Sequence, residues 1–205
     1  MIAARAALVQ EAFRLEYLTL AWMVVEAVVA ISSGIAARSI TLLAFGIDSL
    51  IELASAIVLI WRLTVELRHG EPFAEDAERK ASQIGGGLLF ALTVYVVIAA
   101  AWSLWTRQGQ EFSRLGLVVS VAAIPIMWVL SRRKLGLADA LGSRALRTDA
   151  IESIACGWLS FVVVIGQLMQ LALGAWWVDA ITSLALVVLL VKEAREAWEG
   201  EDDDN

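Results

Sequence analysis

SITLLAFGIDSLIELASAIVLIWRL, residues 39–63, is a long apolar run interrupted only by Asp48 and Glu52 before it meets Arg62. A helix rises about 1.5 Å per residue and a bilayer core is about 30 Å thick, so a run of this length reads as a membrane span. Working outward, five more runs satisfy the same requirement: Tyr17 to Ala37, Gln83 to Thr106, Leu115 to Ser131, Ala145 to Gly174 and Trp177 to Val191. The whole chain is 60% hydrophobic, with a mean hydropathy of +0.73, far above an ordinary soluble domain. The expected fold is an all-α membrane protein of six transmembrane helices. A single membrane domain should cover residues 1–198, and residues 199–205 read as an acidic, solvated, disordered tail.

Several classes fall away on composition and pattern. The first run is too long for a cleaved signal peptide, and a mixed-charge stretch with Arg5, Glu11, Arg14 and Glu16 precedes it. The lone cysteine, Cys156, rules out an internal disulfide and a zinc site built of several thiolates. No basic patch suggests a nucleic-acid partner. With one histidine, His69, and no glycine-rich phosphate loop after a strand, an enzyme is not expected, nor is a resident cofactor.

All but three of the 16 basic residues fall on one side of the proposed spans. Only Arg38, Arg107 and Arg114 lie on the other, which places both termini in the cytoplasm. The expected location is a bacterial inner membrane. The loops joining helices 1 to 2 and 5 to 6 are nearly absent, so each pair should form a hairpin, whereas Glu66 to Lys80 and Arg132 to Ser143 read as longer charged loops. Gly85, Gly86 and Gly87 would permit close helix approach. Pro125 should kink helix 4, and Trp102, Trp105, Trp176, Trp177 and Trp198 read as interfacial anchors.

Ionisable groups at membrane depth are costly, about 2.5 to 3.5 kcal/mol for an Asp at a helix centre on insertion scales, and therefore point to function. Glu26 lies midway along the first span, Asp48 and Glu52 in the second, Asp149 and Glu152 in the fifth, and Asp179 near the start of the sixth. All Lys and Arg read as lying at span ends or in loops, so the offsetting charge must be a proton or a bound cation. Asp48 and Glu52 are four residues apart and share a helix face, as a chelating pair would. Asp149 and Glu152 are three apart, with Ser153 and Cys156 on the same stripe. Carboxylate pairs on facing helices can build a metal site in a bundle core.

The order Glu26, Gly34, Ser39, Asp48, Glu52 resembles the first two helices of the cation diffusion facilitator family of metal carriers, in which an acidic residue, a glycine and a serine precede a His or Asp followed four residues later by Asp. In helix 5 the family places a His or Asp four residues before an Asp, followed by Ser or Asn. Asp149 and Ser153 match the later two positions, while the first falls on Ala145, which cannot ligate, leaving Glu152 as its substitute. The resemblance runs through all six helices and is closest to a short branch lacking the cytoplasmic metal-binding domain. It implies a homodimer that alternates between inward-open and outward-open states, a proton-coupled antiport, and zinc as the leading cargo. It also implies a peripheral metal site in the loop around His69.

The expected metal ligands are Asp48, Glu52, Asp149 and Glu152, with Glu26, Ser153, Cys156, His69 and Asp179 as secondary candidates. An oxygen-rich set suits Mn²⁺ or Fe²⁺ at least as well as Zn²⁺ or Cd²⁺, and Cys156 is the one soft donor among them. Two other readings fit the same sequence. One is a metal-binding membrane subunit or sensor without turnover of its own. The other is an exporter of organic cations that exchanges protons at Glu26 and has no need of Asp48 or Asp149.

Overall fold

A computed structural model describes residues 2–69, 75–141 and 144–199. Six helices follow one another: α1 (Ile2–Ala37), α2 (Ile40–His69), α3 (Glu75–Thr106), α4 (Arg114–Leu141), α5 (Arg144–Leu173) and α6 (Val178–Glu199). No strand is present among the described residues. The expected acidic tail beyond Glu199 lies outside them, as does the loop of residues 70–74.

Beside an apolar core, the interior holds many polar and charged side chains, and the surface is largely apolar. Glu16, Glu26, Asp48, Ser49 and Glu52 are buried, while Leu18, Val28, Ile98, Val118, Leu168 and Val188 point outward. In water such a surface would be a large exposed apolar patch, whereas lipid solvates it and leaves the polar side chains to pair with each other. Among the described residues, five helices contain stretches long and apolar enough to cross a bilayer: Ala7–Ala37, Ile40–Val58, Gly86–Thr106, Arg114–Leu141 and Asp149–Leu173. In α6 the uncharged stretch runs only from Ala180 to Val191. That span is short because Asp179 begins it, and Asp179 is fully engaged by other parts of the chain.

The helix ends explain how. Arg38 and Arg107 adopt left-handed backbone conformations at φ 54° and 52°, and Gly174 does so at 57°. Each sits just past a helix and turns the chain back while satisfying terminal carbonyls. At the first, the Ser39 and Arg38 amides donate to the Gly34 and Ile35 carbonyls. Ser39 then caps α2, its Oγ accepting from the Leu42 amide at 3.1 Å. Asp179 completes that cap from α6. Its carboxylate accepts from the Ser39 hydroxyl at 2.7 Å, from the Ile40 amide at 2.6 Å and from the Thr41 amide at 3.3 Å. A negative group at a helix N-terminus is favoured by the exposed amides and the helix dipole.

The two short loops make hairpins as expected: α1 packs on α2, and α5 on α6. Close approach of α1 and α2 is set by two glycines. A β-carbon on Gly34 would lie 2.8 Å from the Leu43 amide nitrogen, and one on Gly46 would lie 2.9 Å from that of Ile31. Helices α1, α2, α4 and α5 form one bundle, α3 pairs with α6, and α2 touches both groups.

The expected loop from Arg132 to Ser143 is instead mostly helix, since α4 continues unbroken through Pro125 to Leu141. The physical reason is that Lys134 on this extension is buried and finds carboxylate partners inside the bundle. Likewise α1 begins well before Tyr17, so Glu16 belongs to the bundle interior.

Candidate metal-binding layer

The second span brings Asp48 into the centre of the bundle with no exposed surface, and among the described residues neither carboxylate oxygen has a hydrogen-bond partner. Buried polar atoms are nearly always paired, so Asp48 holds unused acceptor capacity where it is most costly. Glu26 from α1 and Glu152 from α5 are the carboxylates within electrostatic reach of it. Glu52, one turn along from Asp48, is also buried.

Glu26 is held firmly. Its carboxylate accepts from Trp22 Nε1 at 2.8 Å, from Ser49 Oγ at 2.7 Å and from Cys156 Sγ at 3.4 Å. These bonds tie α1 to α2 beside Asp48 and to α5 at the thiol. Glu26 therefore serves at least as a clamp for this layer. Ser153 turns away from it, donating to the Asp149 carbonyl of its own helix at 3.0 Å.

Asp149 goes elsewhere. Its carboxylate accepts a charge-assisted hydrogen bond from Lys134 of α4, and the same ammonium reaches Glu16 Oε2 at 3.2 Å. The expectation that no basic residue stands at the depth of the carboxylates is thus corrected by Lys134. Asp179 caps α2 at the opposite end of the bundle, apart from both groups. The side chain of His69 and its acidic neighbours lie outside the described residues.

The layer around Asp48 draws on three helices: Glu26 from α1, Asp48 and Glu52 from α2, and Glu152 and Cys156 from α5. Among the described residues, no three such side chains stand close enough together in this conformation to hold a metal ion. Binding one requires the donors to converge further than they do here.

Residues 17–199 match the family described as the cation efflux transmembrane domain. The chain belongs to the cation efflux family. Over 156 residues it is also 27% identical to an uncharacterized transporter of Synechocystis sp., an alignment covering 72% of this chain and 49% of that protein. The chain thus spans about half the length of this curated relative.

Seen as a cation efflux domain, helix 5 carries its residues in a register the spacing alone did not separate. Glu152 and Cys156, four apart, reach the Asp48 layer, while Asp149 pairs with Lys134. The i, i+4 spacing of Glu152 and Cys156 mirrors that of Asp48 and Glu52, and this is the signal that could have singled them out. Lys134 and Glu16 gave no such signal, because each reads locally as a polar residue at the margin of an apolar run.

Proposed function

We propose that this cation efflux domain carries a divalent transition-metal ion, zinc foremost, across the membrane in exchange for protons. The observation that supports it best is Asp48: buried without exposed surface, with both oxygens unpartnered and two more carboxylates in electrostatic reach. Such a concentration of buried carboxylates calls for a cation, whether a metal ion or protons. Asp48, Glu52 and Glu152 would supply hard oxygen donors and Cys156 one soft donor, a mixed set that accommodates Zn²⁺ and Cd²⁺ as well as Mn²⁺. When the metal leaves, the charge left behind must again be offset, and the proton is a cation available from either side.

Alternating access supplies the route, with the α1, α2, α4 and α5 bundle moving against the α3 and α6 pair. The chain is taken to work as a homodimer, with both termini in the cytoplasm of a bacterial cell. The test is metal-driven flux in proteoliposomes carrying an interior pH dye, with Zn²⁺, Cd²⁺, Mn²⁺ and Mg²⁺ supplied in turn. The expected result is metal entry with opposed proton movement, lost in Asp48→Asn. Metal binding without flux at any pH gradient would overturn the carrier reading in favour of a binding subunit. Flux of organic cations untouched by Asp48→Asn would overturn both.

A further inference from the structure

A second group of charged side chains lies in the interior, away from Asp48. The Lys134 ammonium sits between Glu16 Oε2, at 3.2 Å, and the carboxylate of Asp149. Glu16 and Lys134 are completely buried and Asp149 nearly so. Among the described residues, the other oxygen of Glu16, Oε1, has no hydrogen-bond partner. Two carboxylates thus face one ammonium, so the second carboxylate has to be neutralised by a proton or by another cation.

The three residues come from three helices, and an apolar cluster surrounds them: Ala12 and Leu15 of α1, Leu130 and Leu137 of α4, and Leu146 of α5. Glu16, Lys134 and Asp149 are all buried, so the carboxylates are stabilised chiefly by whatever cation or proton reaches them. Asp149 precedes Cys156 by seven residues on α5, about 10 Å along the helix. The two charged groups therefore stand in series along the bundle. On the function proposed above, an ion moving between Asp48 and the helix ends rich in Lys and Arg would meet Lys134 on the way.

Carboxylates from facing helices can hold divalent ions in a bundle core. A divalent ion between Glu16 and Asp149 would neutralise both, where the ammonium neutralises one. We propose that Glu16 and Asp149 form a second divalent-cation site, kept closed by the tethered ammonium of Lys134, which yields only when the bundle rearranges to pass an ion. The proposal takes its cargo from the function proposed above, but the site itself can be tested without it.

The experiment counts Zn²⁺ and Co²⁺ bound per chain by equilibrium dialysis of the full chain in nanodiscs. Lys134→Gln should bind one ion more than the parent, with at least tenfold tighter binding at that site than the triple variant Glu16→Gln, Lys134→Gln, Asp149→Asn, which should return to the parent's count. Lys134→Arg keeps the charge and should also match the parent. Adding Asp48→Asn to Lys134→Gln should leave the extra ion in place, so loss of the Asp48 site is read separately. A well-folded Lys134→Gln with the parent's count overturns the proposal. Should that variant fold poorly, recovery only when Zn²⁺ is present during purification supports the site, and failure with and without Zn²⁺ overturns it.

Discussion

At the scale of single residues, what the sequence made legible were the charges whose meaning is local. Asp48 and Glu52 announce themselves because helix spacing alone puts both carboxylates on one face. Lys134 does not, since its partner Glu16 lies 118 residues away in the chain and only folding shows that the ammonium is inside. The same holds for Asp179, whose bond to Ser39 crosses 140 residues. Asp179 accepts three hydrogen bonds at the start of α2, and bonds to a charged group contribute about 1.5 to 3 kcal/mol each. Asp179→Ala should therefore lower the thermal midpoint strongly, by an effect on the order of 3 kcal/mol once water repairs part of the cap. Asp179→Asn, which keeps one acceptor, should fall between the two. Cys156 allows a sharper test of chemistry. Cys156→Ser keeps a donor for Glu26 but removes the soft ligand, so Zn²⁺ and Cd²⁺ flux should drop about tenfold relative to Mn²⁺ flux in the same vesicles.

At the scale of helices, the number and the hairpin pairing were legible and the lengths were not. Hydropathy ends the fourth span at Ser131, because the next residues are Arg132, Arg133 and Lys134. The helix continues because the bundle takes in Lys134 and leaves the two arginines exposed, with the Arg132 guanidinium 4.3 Å from the centre of the Trp128 ring. Helix contacts that need a missing side chain are also invisible to hydropathy, and they make opposite predictions at two glycines. At Gly34 an added methyl meets the Leu43 backbone, which cannot swing aside, so Gly34→Ala should cost about 1 to 3 kcal/mol and weaken flux by shifting Asp48 against Glu26. At Gly136, on the exposed face of α4, an added β-carbon meets nothing within 4 Å. There Gly136→Ala should raise stability by roughly 0.5 to 1 kcal/mol, the helix-propensity difference, with flux unchanged. Thermal melting of the two variants beside the parent separates the packing effect from propensity.

At the scale of the molecule, the two ends of the bundle are chemically different, and that difference bears on direction. One end gathers Trp102, Trp105, Trp176 and Trp177 on exposed positions, together with the three tight turns at Arg38, Arg107 and Gly174. Arg107 there lies over the Trp176 ring at 6.0 Å. These aromatic rings suit the membrane interface. The opposite end carries Arg132, Arg133 and Arg147, exposed beyond the Lys134 group. If the bias of basic residues toward the cytoplasm holds for this chain, Lys134 stands between the cytoplasm and Asp48, and in the proposed cycle it would guard entry for an ion on its way out. A fluorescent protein fused at the C-terminus should accordingly be bright in a bacterial host, and an alkaline phosphatase fusion at the same point should be inactive. The reverse pattern would put Lys134 on the outer side of Asp48, and the group that controls loading in the proposed cycle would then control release.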